Sequence, residues 1–389
     1  PAELAAVVDD AGLQQLHADA TLEAQAAAVR ALAPLPRPWA AGHEAGDLML
    51  VYTSGTTGRP RGAIHTAAGM AANIDAAIDA QGFDERTREL AVLPLFHVGG
   101  LCIQTLPVLA AGGCVVLHPR FDAGAWLAEV ERSRPTTSLL VPATMRAVLD
   151  HPAWPTTDLS SLAFVNSGSQ IVPPPLIEAF HARGVPVCQV WGSTETGPVS
   201  IVLRPDEAMA HVGSTGRPAR GVEARLVADG RDVAPGETGE IWVRAPNLMR
   251  GYHRATHPES FAGGWFRSGD LARADAQGFV TVVGRSKDLI ISGGENIHPA
   301  EIENLLAHHP DVAECAVVGI PDARWGEVPV LVVVARVGRA VDPQRLQALF
   351  DAKLARYKHP RRIVVVEALP KTALGKVQKA TLAAALRVD

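Results

Sequence analysis

The chain has 389 residues, 47% of them hydrophobic, with 36 Lys and Arg against 41 Asp and Glu, for a net charge of −5. That length supports a large core and more than one domain, while the acidic balance supplies no basic field and excludes nucleic acid as the main partner. Cys102, Cys114, Cys188 and Cys315 follow no metal or redox spacing and read as reduced core thiols of a cytoplasmic protein, and neither a membrane-length apolar run nor a secretory signal is visible.

Taken in order, the chain opens on Pro1 and reaches its first strong strand signal at 48–52, the apolar run Leu48-Met49-Leu50-Val51. The next ten residues, Thr53 to Gly62, carry four hydroxyl side chains, three glycines and two arginines. Such a loop suits a polyphosphate: glycines let the backbone approach, hydroxyls donate hydrogen bonds and arginine adds fixed charge. A polar turn between a strand and a helix has the same composition. Neither the Walker spacing nor Gly-x-Gly-x-x-Gly is present.

Beyond it, short strands at 89–93, 114–117, 137–141, 162–166 and 187–190 alternate with helices at 67–80, 123–134 and 174–183, with Asp122 and Pro173 as helix-start residues. This alternation predicts a layered α/β fold up to about residue 281. Strands at 223–227, 239–244 and 279–283 sit between Pro/Gly-rich turns. Past 285–287 the pattern changes to a compact α+β unit: helix 299–308, strands 313–320 and 328–337, helix 343–357, strand 362–367 and a terminal helix 377–387.

Four further segments stand out: Trp191-Gly192-Ser193-Thr194-Glu195-Thr196-Gly197, then Gly264-Trp265-Phe266-Arg267-Ser268-Gly269-Asp270, then Gly284 to Glu303, then Pro370-Lys371-Thr372-Ala373-Leu374-Gly375-Lys376. With the 53–62 loop, in this order, they resemble the core motifs of the AMP-forming adenylating enzymes, the superfamily of acyl-CoA synthetases, adenylation domains and luciferases. The resemblance runs through essentially the whole chain, although family members carry a substantial portion before the phosphate loop that is short here. It implies a large layered α/β domain over 1–286, shortened at its N-terminal side and including a small barrel-like subdomain, and a mobile α+β domain over 287–389.

The chemistry implied by the resemblance joins a carboxylic acid to ATP as an acyl-adenylate, then passes the acyl group to coenzyme A, with Mg²⁺ on the phosphates. Thr53, Ser54, Gly55, Thr56, Thr57 and Gly58 would hold the β- and γ-phosphates under Arg61, where the family usually has lysine. Glu195 would contact Mg²⁺ and Thr194 the α-phosphate. Trp191, beside Gly192, would stack on adenine, with Gly168 and Ser169 at the adenine edge. Asp270 and Arg285 would hold the ribose, or pair as a surface salt bridge. Lys376 would bridge the acyl carboxylate and the α-phosphate, Lys287 would act as the hinge, and Gly293 and Gly294 would leave room for the pantetheine arm. His97, Val98 and Gly99 would line an acyl pocket for an aryl or a medium- to long-chain fatty acid, although a histidine among apolar residues is also an ordinary core residue. The alternatives are a ligase that loads a carrier protein and a non-catalytic relative that binds nucleotide; a homodimer is among the assemblies the sequence allows.

Overall fold

The computed structural model describes residues 2–11, 15–33, 46–53, 61–254, 258–307, 309–371 and 377–386. Five strands run parallel in the order Cys114–Leu117, Arg88–Ala91, Thr137–Leu140, Phe164–Gly168 and Val187–Trp191, and the antiparallel pairs Ile201–Val202 and Arg217–Pro218 extend this sheet to seven. The three strands from Thr137 to Trp191 are buried along their whole length, which is why they read as short apolar runs rather than alternating ones. Helices Ala123–Ser133, Pro142–Leu149 and Pro174–His181 cover one face, where Trp126, Met145 and Phe180 are fully buried.

The other face packs on helix Ala67–Gln81 and on the helical run that begins at Val98. Thr66 caps the first of these, its hydroxyl accepting from Gly69 N, and Gly82 ends it in the left-handed region at φ 68°. The same core includes Ile241, Val243 and Ala272 of a six-stranded antiparallel sheet, the subdomain expected from the strand-rich stretch. Asp122 caps its helix as predicted, accepting from Ala125 N, whereas Pro173 provides no side-chain cap.

Three features differ from the sequence reading. Arg61–Thr66 is a strand, antiparallel to Asp47–Thr53, so a strand precedes the helix that starts at Ala67; Ala63, Ile64 and His65 are buried there. Small residues and a glycine hide its strand character; a Cβ on Gly62 would first meet the Leu50 and Tyr52 side chains. Cys114 is exposed on the edge strand of the parallel sheet and is not a core thiol. The helix expected over 343–357 stops at Lys353, where Leu354 turns extended and a separate turn, Arg356–Lys358, follows.

The N-terminal helices Ala2–Ala11 and Glu23–Leu32 pack through Ala5, Val8 and Val29. The first also touches the hairpin: the Tyr52 hydroxyl donates to Asp10 Oδ2 at 2.5 Å, and the His253 ring lies 2.9 Å from the Asp10 carbonyl. In the C-terminal unit, strands Val312–Asp322 and Gly326–Ala335 form a long hairpin, with Arg362–Val366 parallel beside the second. The short hairpin Ile290–Ser292 to Glu295–Ile297 turns on Gly293 and Gly294, whose φ values of 61° and 87° favour glycine.

Glu89, on the Arg88–Ala91 strand, is 1% exposed, and its nearest donor is the Thr105 hydroxyl at 3.3 Å. Burial pushes its carboxyl up to about 8. The unfolded chain ionises this group near about 4.3, so stability is full below that pH and declines as pH rises to about 8, beyond which the decline stops. Glu89→Gln should remove this decline, worth a few kcal/mol between pH 5 and 8.5. Urea melts of both proteins at the two pH values check it; identical slopes would contradict the buried acid.

Candidate active site

Because the five central strands run parallel, the loops after them emerge along one edge of the sheet, the usual ligand edge of open α/β sheets. Chain order reverses between Arg88–Ala91 and Thr137–Leu140, and the segment carrying His97, Val98 and Gly99 leaves from there. Gly168 and Ser169 end the Phe164–Gly168 strand, and Gly192 to Glu195 follow the Val187–Trp191 strand.

Backbone contacts explain the glycines. A Cβ on Gly168 would lie 2.3 Å from the Val190 carbonyl, and one on Gly192 2.1 Å from the Pro198 carbonyl. Ser169 has φ 66°, a left-handed conformation that costs a non-glycine residue about 1 kcal/mol. The His97 ring accepts from Gly99 N at 3.0 Å, and a Cβ on Gly99 would lie 3.8 Å from Ser169 Oγ. The acyl-pocket and adenine-edge residues therefore meet. Val98 turns inward, buried with Val51, Met70 and Cys102.

Trp191, Asp270 and Arg285 also come together. Trp191 Nε1 donates to Asp270 Oδ2 at 2.9 Å, and Arg285 Nε lies 2.7 Å from Asp270 Oδ1. Asp270 and Arg285 face each other across the antiparallel pair Trp265–Ala274 and Val280–Arg285. The two pair as the salt-bridge alternative allows, with the Arg285 side chain 34% exposed and Asp270 7% exposed. Its Oδ1 is close to the guanidinium but takes no aligned hydrogen bond, leaving an acceptor lobe open.

Next to this group lies a cleft of about 430 Å³ lined by Arg61, Ser193, Glu195, Tyr252, Arg285 and Lys287. The Tyr252 hydroxyl donates to Glu195 Oε1 at 2.8 Å, and the Arg61 guanidinium sits 4.8 Å from the centre of the Tyr252 ring. Met249 N donates to the Glu195 carbonyl at 2.8 Å, and Thr196 Oγ1 accepts from Ser193 N at 2.8 Å. Thr194 is buried against His65, whose imidazole is pulled below its ordinary range by burial, opposed by the Thr194 backbone and the Glu195 charge.

Lys287 lies in the exposed turn Ser286–Asp288, between the Val280–Arg285 strand and the Gly293-Gly294 hairpin; the two glycines do not line the cleft. Thr53 ends its strand opposite Arg61. Ser54, Gly55, Thr56, Thr57, Gly58 and Lys376 lie outside the described residues. Tyr252 escaped the sequence reading. The signal was scarcity, since the chain has three tyrosines and two of them, Tyr52 and Tyr252, touch this hairpin sheet.

Residues 3–253 match the AMP-binding enzyme family, and residues 301–376 match the AMP-binding enzyme C-terminal domain. An indoleacetate–CoA ligase of Aromatoleum aromaticum is 49% identical over 335 residues, 85% of this chain and 66% of that relative, so the chain spans just under two thirds of its length. The solved structure of an anthranilate CoA ligase in complex with anthranoyl-AMP superposes with TM-score 0.91 at 28% identity, covering 100% of this chain and 81% of the other. An o-succinylbenzoate coenzyme A synthetase from Bacillus subtilis, in complex with ATP and magnesium ion, gives TM-score 0.84 at 33% identity over 98% of this chain and 81% of the other.

Trp191→Phe keeps an aromatic ring but leaves the buried Asp270 Oδ2 without its indole donor. We expect a loss of about 1–3 kcal/mol in unfolding free energy, read by denaturant titration; a variant as stable as the parent would mean that this contact contributes nothing.

Proposed function

This chain belongs to the AMP-binding enzyme family, and on that premise we propose that it is an ATP-dependent, AMP-forming ligase joining an aryl carboxylic acid to coenzyme A through an acyl-adenylate. The observation that carries the reading is the group of buried Trp191 and Asp270 with half-buried Arg285 beside the cleft of Arg61 and Glu195. An adenosine needs a flat apolar partner for its base and a carboxylate for its ribose hydroxyls; a triphosphate needs cations and backbone donors.

In the proposed reaction a substrate carboxylate oxygen attacks the α-phosphorus of ATP. The bond to the bridging oxygen breaks, pyrophosphate leaves and a mixed anhydride with AMP remains. A thiolate then attacks the acyl carbon and expels AMP. No protein nucleophile is required; catalysis rests on positioning and on cations that meet developing negative charge. Asp270 Oδ1 accepts from the ribose while Arg285 donates to the same sugar, and Trp191, oriented by its bond to Asp270, packs on the base. Arg61 and the 53–58 loop hold the β- and γ-phosphates, Thr194 reaches the α-phosphate, and Lys376 neutralises the meeting point of carboxylate and phosphate.

Magnesium fits the donor set. Among the described residues no group of three or more His, Cys, Asp or Glu could hold a metal. A single carboxylate, Glu195, suits a cation that keeps waters and takes its other oxygens from substrate phosphates. Bound there, Mg²⁺ would neutralise phosphate charge.

The small residues Gly99 and Gly100 beside His97, with no charged side chain among the acyl-pocket residues, favour a flat apolar acid. The indoleacetate and anthranilate ligases among the similar proteins point the same way. Coenzyme A as acceptor is supported by the surface next to the Gly293-Gly294 hairpin. Gly293 N donates to the Trp325 carbonyl at 2.8 Å, and Arg324 and Arg361 lie 4.8 and 5.7 Å from the Trp325 ring, a cationic aromatic platform for a nucleotide. We assign 1–286 and 287–389 as the two moving parts, with Lys287 as the hinge that exchanges the Lys376 face for the Gly293-Gly294 face.

ATP–pyrophosphate exchange with indole-3-acetate, ferulate and dodecanoate, with and without coenzyme A, tests the whole reading. Exchange with the aryl acids and thioester product are expected; no exchange with any acid would favour a binding protein, and adenylate without thioester would favour another acceptor. Lys376→Ala should lower exchange about 10²–10³-fold while thioester formation from supplied indoleacetyl-adenylate stays within a few-fold. Equal losses in both halves would remove Lys376 from its role. Lys287→Pro, which fixes φ, should slow the second half more than the first; unchanged turnover would remove the hinge.

A further inference from the structure

Two charged residues of the cleft, Arg61 and Glu195, come from distant parts of the chain and meet on one side chain that neither motif contains. Tyr252 lies on the short strand Gly251–Tyr252, antiparallel to Arg61–Thr66, with Ala63 directly opposite. Arg61 is two residues before Ala63 and so shares its face of the strand. Ala63 is fully buried and small, and the Arg61 guanidinium lies over the Tyr252 ring, 4.8 Å from its centre. At the other end of the ring the hydroxyl donates to Glu195 Oε1 at 2.8 Å. Backbone bonds hold this arrangement from both sides: Met249 N to the Glu195 carbonyl at 2.8 Å, and His253 N to the Gly62 carbonyl at 2.7 Å.

We propose that Tyr252 is a positioning residue for adenylation, its hydroxyl aiming the Glu195 carboxylate at the metal and its ring holding the Arg61 guanidinium over the phosphates. The inference rests on the reading of Glu195 and Arg61 given above. A phenol donor occupies Oε1 alone and leaves Oε2 for the cleft. The ring also accounts for arginine at position 61. A guanidinium plane stacks on an aromatic face and keeps its N–H fork directed outward, whereas a lysine ammonium is a point charge without a plane. Arg61 Nε is buried and has no hydrogen-bond partner among the described residues, so the ring is its neighbour on that side.

The two ends of the ring can be separated by substitution. Tyr252→Phe removes only the hydroxyl, and Tyr252→Leu removes ring and hydroxyl together. Calorimetric titration of the full chain with ATP at varied Mg²⁺, and with pyrophosphate, reads the two ends without requiring an acid substrate. Tyr252→Phe should raise the half-saturating Mg²⁺ for ATP binding about tenfold, the effect of one charge-assisted hydrogen bond, with ATP affinity at saturating Mg²⁺ within about threefold. Tyr252→Leu and Arg61→Lys should each weaken pyrophosphate binding about three- to tenfold, and the double variant should be no weaker than the worse single one.

Glu195→Gln separates this inference from the reading beneath it. If Glu195→Gln leaves the Mg²⁺ requirement unchanged, the metal role of Glu195 fails. If Glu195→Gln raises it but Tyr252→Phe does not, Tyr252 is no positioning residue for that carboxylate. Independent, additive losses in Tyr252→Leu and Arg61→Lys would overturn the stacking half. Should the leucine variant not fold, Tyr252→Met, which also removes the ring, takes its place in the same double cycle with Arg61→Lys, and additive losses there overturn the stacking half equally.

Discussion

Asp270 holds together two sheets that the chain builds far apart. Its carboxylate, itself buried, takes the indole N–H of the last parallel strand and stands against the guanidinium of the antiparallel sheet, which reaches the cleft. A buried carboxylate costs several kcal/mol unless it is paired and hydrogen-bonded, and both conditions are met here. The arrangement fixes the plane of Trp191, the reach of Arg285 and the wall of the cleft at once. Around it the parallel strands need only deliver their ends to one edge, and the glycines need only let those ends approach.

That edge is bought with backbone closeness. Gly168 and Gly192 have no space for a methyl group, and Ser169 occupies a conformation in which glycine would be less strained. Conformational cost at the ends of strands is common where ligands are held, and it persists because the surrounding structure over-determines it. Glu89 is the counterpart inside the domain, an acid kept neutral by its surroundings between the sheet and the helical run that starts at Val98.

Much of this was legible in the sequence because local chemistry and global fold agree. The buried strands announced themselves as apolar runs, Asp122 stands where a helix start requires an acceptor, and Trp191, Asp270 and Arg285, singled out in separate motifs, lie together in space. What stayed hidden depends on contacts between distant segments. The Arg61–Thr66 strand is made of residues with modest strand preference and exists because Asp47–Thr53 and Gly251–Tyr252 pair with it. For Tyr252 the scarcity of tyrosine is the one sequence signal; its meaning appears when position 195, 57 residues earlier, is folded onto it. Pro142–Leu149 was missed because a proline start and a short span resemble a loop, and the exposed Cys114 because nothing in four apolar-looking residues says which strand forms the sheet edge.

The bond from Tyr52 to Asp10 gives the N-terminal helix an influence well beyond its own packing. Burial and the neighbouring carboxylate both push the Tyr52 phenol up, so the hydroxyl never ionises away from its acceptor in any ordinary buffer. Opening the hairpin that flanks the 54–60 segment therefore means either peeling a helix off the protein surface or stranding a desolvated phenol. Fraying at residue 10 and breathing of strand Asp47–Thr53 become one event, and amide exchange along that strand reports on the grip of a helix some forty residues upstream.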